Sequence, residues 1–134
     1  MQEQPRNGAS PRPWAKVAIG REYLGVSKRF NYLESLVISG RFIGALGERD
    51  STFQHATLID CDFRGARLGE TSFRNASLYA CDFSGAEILG CYFDGAQADE
   101  NCIWPMGFDP KTKGIEIVGE VDEDEEDEDG DDDE

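Results

Sequence analysis

The chain has 134 residues, 39% of them hydrophobic and 31% charged, with a formal net charge of -15. That length allows one domain, and an acidic balance of this size excludes a protein that grips nucleic acid directly through a basic surface. No run of eighteen apolar residues occurs, so no helix is expected to span a membrane.

Residues 1–13, MQEQPRNGASPRP, are polar and Pro-rich. They read as a flexible arm, and they lack the apolar h-region of a signal peptide. The expectation is therefore a cytoplasmic chain. Residues 14–50 carry Val17, Ile19, Tyr23, Leu24, Phe30 and Tyr32, with apolar runs near 36–46. They read as an N-terminal cover. Within them Leu33, Ile38 and Ile43 recur every five residues before Glu48 breaks the series, so 31–45 read as a degenerate first coil.

From 51 the pattern becomes strict. A large apolar residue recurs every fifth place: Phe53, Leu58, Phe63, Leu68, Phe73, Leu78, Phe83, Ile88 and Phe93. A small residue precedes each by two: Ser51, Ala56, Cys61, Ala66, Thr71, Ala76, Cys81, Ala86 and Cys91. Ala96 continues the small series, but the next centre is only Ala98, where the core is expected to taper. A five-residue step on an α-helix advances by about 140° past a full turn and smears the large residues around the cylinder. On a straight strand it flips faces. Every centre can be buried only if the chain bends once per block in the same sense and winds around its own core, as a solenoid does. Phe alternates with aliphatic centres, which helps fill one interior without voids.

The tandem small-x-(Leu/Phe)-x-x pattern over 51–100 resembles the pentapeptide-repeat family. The resemblance implies an all-β fold, a right-handed quadrilateral β-helix in which four blocks make one coil of about twenty residues. The solenoid is expected to be short, about three coils. Residues 101–118 then read as the C-terminal cover. Their segment IWPMGFDP is similar to the closing segment of such domains, with Trp104 and Phe108 as plugs and Pro105 and Pro110 stopping further coiling. Residues 119–134, GEVDEDEEDEDGDDDE, form a low-complexity acidic tail expected to be disordered.

Setting aside the thirteen acids from Glu120 onward leaves residues 1–119 with a net charge of only about -2. Some pentapeptide-repeat proteins resemble duplex DNA and bind DNA gyrase in its place. Here Arg64, Arg67 and Arg74 interrupt the outward acids Asp60, Asp62, Glu70, Asp82, Glu87, Asp94, Asp99 and Glu100. A rod of under four turns, roughly 18 Å tall, spans about five base-pair steps. That is a short mimic unless two copies join end to end as a homodimer.

Candidate chemistry is sparse. There is no C-x-x-C, and Cys61, Cys81 and Cys91 occupy the small inward place, where a thiol serves as a small hydrophobe. Cys61 and Cys81 are one coil apart and are expected to stack as thiols. His55, the lone histidine, falls at an outward corner. The acid pairs Asp60/Asp62 and Asp99/Glu100 lack the enclosure that shifts a catalytic pKa. No catalytic, metal or cofactor site is expected. The leading reading is a non-enzymatic module that binds a protein partner through coil faces and the acidic tail. The alternative is a nucleic-acid mimic that binds gyrase or another DNA-binding protein.

Overall fold

The computed structural model describes residues 14–119. Eight short strands occur in chain order: β1 (Val17–Ile19), β2 (Ser27–Lys28), β3 (Leu36–Ile38), β4 (Leu46–Gly47), β5 (Thr57–Ile59), β6 (Ser77–Tyr79), β7 (Gln97–Asp99) and β8 (Glu116–Val118). A 3₁₀ turn, Pro110–Lys113, precedes β8. Strands β1, β3, β5, β6, β7 and β8 stack in parallel as one six-stranded side, and β2 and β4 begin a second side. Parallel pairing of sequential strands, one coil apart, makes the chain an all-β solenoid of about five turns. Between the strands, isolated parallel bridges such as Asp62 to Asp82 and Ser72 to Tyr92 tie the remaining sides together. At about 4.8 Å per turn five turns reach about 24 Å, taller than expected from 51–100 alone.

The repeat explains the winding. In each block the small residue and the large residue flank one outward residue, so both point to the axis. Phe53, Leu58, Phe63, Leu68, Phe73, Leu78, Phe83, Ile88 and Phe93 are all buried, as are Ala56, Cys61, Ala66, Thr71, Ala76, Cys81, Ala86 and Cys91. The residue two after the centre turns the corner. Positive φ recurs there, at His55 (59°), Gly65 (68°), Asn75 (59°) and Gly85 (69°). Gly90 differs: it has no positive φ, and a Cβ there would lie 3.0 Å from the Gly69 carbonyl oxygen.

Stacked aromatic rings form the axis. One ladder runs Tyr23, Phe42, Phe63, Phe83, Trp104, with centroids 5.3, 4.6, 4.8 and 5.1 Å apart. The opposite ladder runs Tyr32, Phe53, Phe73, Phe93, at 5.5, 5.0 and 5.0 Å. Between them the rings meet edge to face, as Phe63 and Phe73 do at 5.9 Å. Each such pair adds about 0.5–1.5 kcal/mol beyond area burial.

Two expectations are corrected. The coil does begin before 51, but not in the phase that puts Leu33, Ile38 and Ile43 inside. Tyr32, Val37 and Phe42 are buried, with Ser35, Gly40 and Ala45 beside them, while Leu33 is exposed. The cause is one extra residue in the corner Glu48-Arg49-Asp50. Val37 pairs with Leu58, twenty-one residues on, whereas Leu58 pairs with Leu78 at twenty. Second, the segments read as covers are coils themselves. β1 pairs with β3, nineteen residues away, and β8 pairs with β7 across Pro105 and Pro110. Trp104 is less a plug over the stack than its last rung. It stacks on Phe83 after a second extra corner residue, and Phe108 closes over it at 5.3 Å. The arm at 1–13 and the acidic tail from 120 lie outside the described residues.

Candidate interaction surfaces

The axis is filled by side chains, so any site must lie on a face or at an end. His55 is exposed at its corner. Among the described residues no group of three His, Cys, Asp or Glu side chains is placed to hold a metal ion. Cys61, Cys81 and Cys102 form one inward column of free thiols. The adjoining thiols of Cys102 and Cys61, together with burial, push the Cys81 thiol's pKa well up. Cys81 in turn draws the thiols of Cys61 and Cys102 down. Cys91 stands in a separate column, and burial pushes it up to about 12. Low thiolate content makes Cys81 and Cys91 poor nucleophiles.

Three of the coil's outward acids pair with arginines. Asp62 accepts from the Arg64 guanidinium at 2.7–3.0 Å. Partial burial works against its ionisation, yet the hydrogen bonds from Arg64 outweigh burial and hold the carboxyl below its ordinary range. Arg67 meets Glu87 and Arg74 meets Asp94, each at 3.4 Å between adjacent coils, and Arg74 also lies 4.4 Å over the Tyr92 ring. These pairs leave no unbroken row of acids down any described face. The N-terminal end is basic: Lys16, Arg21, Lys28 and Arg29 surround Tyr23 and Tyr32, whose hydroxyls hydrogen-bond.

The six-stranded side is different in kind. Its first four strands read VAI, LVI, TLI and SLY, without a charged residue. The middle residues, Ala18, Val37, Leu58 and Leu78, point in. The flanking residues point out, so Ile19, Ile38, Ile59 and Tyr79 form one outward column in register. Ile19 keeps 64% of its surface exposed, and Ile59 and Tyr79 more than a third. The charges Asp99 and Glu116 enter only on the last two strands. Contiguous exposed apolar surface on a folded domain marks an interaction site.

A cleft of about 580 Å³ opens on the side opposite that sheet, near the C-terminal end. Its lining includes Ala86, Ile88, Leu89, Pro105, Met106 and Phe108. It exists because residues 105–109 bulge outward instead of laying a fifth segment over Ala86-Glu87-Ile88.

Sequence reasoning reached the inward residues and expected binding through coil faces, but singled out neither this sheet face nor the cleft. The sheet face was hidden by the phase error, which turned Ile38 inward. Reading Ile59 and Tyr79 as a one-coil pair of outward apolar residues is the signal that would have found it.

Residues 56–97 match the family model for pentapeptide repeats, in eight copies. None of the curated proteins matches the sequence. Among solved structures, the pentapeptide repeat protein Rfr23 from the cyanobacterium Cyanothece 51142 gives a TM-score of 0.61 at 15% identity. The match covers 66% of this chain and 60% of that one, so this chain spans less than two thirds of that protein's length. The pentapeptide repeat protein alr5209 from Nostoc Pcc 7120 gives 0.46 at 20% identity, over 78% and 77% of the two chains. A trypsin-treated form of QnrB1, a plasmid-mediated fluoroquinolone resistance protein, gives 0.30 at 15%, over 79% and 67%. At these identities the likeness to Rfr23 speaks to fold, and the other two carry no more than their numbers.

Proposed function

From the premise that this chain is a pentapeptide-repeat protein, we propose that it is a non-enzymatic interaction module that binds a protein partner through the uncharged first four strands of its six-stranded sheet face. The observation that carries this reading is the outward column Ile19, Ile38, Ile59 and Tyr79, with Val17 and Leu36 beside it. Apolar residues at those places contribute nothing to the coil interior. Covering them with a partner's apolar surface gains about 25 cal/mol for each Å² of apolar area removed from water, set against the entropy cost of association. The filled axis and the high pKa of Cys81 and Cys91 fit a binding role better than a catalytic one.

Mimicry of nucleic acid is the weaker reading. It needs rows of uncompensated negative charge, and here Asp62, Glu87 and Asp94 are each matched by an arginine. The acidic segment 120–134 then tunes attraction to a partner without supplying specificity. The reading sets the module in the cytoplasm, where glutathione keeps thiols such as Cys61, Cys81 and Cys102 reduced.

The test is affinity capture with three baits: the full chain, the full chain carrying Ile19→Glu and Ile59→Glu, and a chain ending at Gly119. Both isoleucines are exposed, so the double variant keeps its fold. A partner held by the first and third baits and lost by the second supports the sheet face. A partner held by the first and second baits and lost only by the third refutes it and assigns recognition to the tail.

A further inference from the structure

The coil ladder stops one level early on the side of Cys91-Tyr92-Phe93 and on the side of Ala86-Glu87-Ile88, and the groups it leaves open are backbone groups. In every turn of the latter side the residue at the small place offers its carbonyl to the next coil, and the centre residue donates its N–H to it. Ala45 O accepts from Arg67 N at 2.8 Å, and Ala66 O accepts from Glu87 N at 2.8 Å. Leu68 N donates to Glu87 O at 3.2 Å. The next step would use Ala86 O and Ile88 N. Residues 105–109 do not supply it: Phe108 N turns back to Pro105 O instead. Among the described residues no backbone group bonds Ala86 O or Ile88 N. Yet Ile88 is only 1% exposed and Ala86 only 7%. A buried, unpaired donor and acceptor are costly, and native structures supply partners for them. Both residues line the cleft of about 580 Å³.

We infer that this cleft is a strand-addition site for an extended segment of a partner protein with the local pattern small–basic–aliphatic. Strand addition gives affinity through main-chain hydrogen bonds and specificity through alternate side chains. The coil register dictates both. One incoming residue completes the missing step, its N–H to Ala86 O and its C=O from Ile88 N. Its two neighbours then point inward, over Ala86 and Ile88. The first must be small to sit on Ala86, and the second large and aliphatic to cover Ile88 beside Phe108. The residue between them points outward, next in the column that runs Arg67, Glu87. A cation there faces Glu87, as Arg67 does from below, with Glu70 also on the rim. The chain's own acidic segment is excluded by the same register: from Asp122 to Glu134 it holds no apolar residue and would set acid against Glu87 and Glu70. This site is separate from the sheet face and stands or falls independently of it.

The chain supplies its own probe. Residues 64–70, RGARLGE, carry the required pattern as Ala66-Arg67-Leu68 on the same side of an earlier coil. The experiment adds this synthetic heptapeptide to the full-length protein and follows hydrogen exchange at the Ile88 amide by NMR. At about 90% saturation the exchange should slow about tenfold, while amides of β5 on the sheet face stay unchanged. A peptide with glutamate in place of the central arginine should bind about threefold to fivefold more weakly, the scale of an exposed cross-strand charge pair. The Glu87→Lys variant should reverse that preference, and because Glu87 is exposed its melting temperature should hold. A scrambled peptide that protects Ile88 equally, or a heptapeptide that leaves Ile88 unprotected, overturns the proposal. So does protection already present without peptide. If it vanishes on deleting 120–134 the tail is the occupant, and if it vanishes on dilution the occupant is a second copy.

Discussion

Replacing Phe73 by Ala should be among the most damaging single changes in this protein. Phe73 is wholly buried, near the middle of its ladder. It stacks on Phe53 and Phe93 at 5.0 Å each, and meets Phe63 and Phe83 edge-on at 5.9 and 6.0 Å. Truncation removes all four ring contacts and leaves a cavity that the stiff coil above and below cannot collapse, because its rungs are fixed by the ladder. Phe-to-Ala changes in such sites cost about 3–5 kcal/mol, against a total of about 5–15 kcal/mol for a domain. For a folded part of this size that loss lowers the melting temperature by about 15–25 °C. The assay is thermal unfolding followed by circular dichroism, with Leu89→Ala as the control, since Leu89 is 70% exposed and should change stability by no more than about 0.5 kcal/mol. A Phe73→Ala protein that melts within a degree or two of wild type would refute the inward assignment of the aromatic ladder.

Other outcomes follow from the same contacts. A chain ending at Glu100 loses Trp104, Phe108 and β8, uncovers the ends of both ladders and opens strand edges, so it should self-associate in analytical ultracentrifugation. Cys91 should resist iodoacetamide at pH 8 in the folded protein and react once denatured, because burial holds its thiol up to about 12. Asp62 has a lowered pKa in the fold, so its contribution is present above pH about 4 and is lost as pH falls further. Asp62→Asn should therefore flatten the acid limb of the stability curve while costing at most about 1 kcal/mol at neutral pH, as exposed ion pairs do.

The interior was legible in the sequence from 51 to 98 because the five-residue period is unbroken there. Phase is additive, so one extra residue in a corner displaces every upstream assignment by one. That is what Glu48-Arg49-Asp50 does to 31–45. The run Leu36-Val37-Ile38 is apolar at all three places and could not reveal the slip by composition alone. The same kind of insertion, between Ala98 and Cys102, hid the fact that Trp104 continues the Phe83 ladder. The surfaces were less legible for a different reason. An outward Ile or Tyr is recognised as a patch only when its neighbours one coil away are known, and those neighbours depend on register. The cleft rests on hydrogen bonds that a bulge fails to make, and no residue pattern in Pro105–Asp109 states which bonds those are.

The most direct measurement is a titration of the purified captured partner against the wild-type chain, the Ile19→Glu and Ile59→Glu double variant, and the chain ending at Gly119, each at two salt concentrations. The sheet-face account predicts at least about a tenfold loss of affinity for the double variant, equivalent to about 1.4 kcal/mol. It also predicts binding by the truncated chain that changes little with salt. Full affinity in the double variant, together with binding that disappears on truncation and falls steeply with salt, would contradict it.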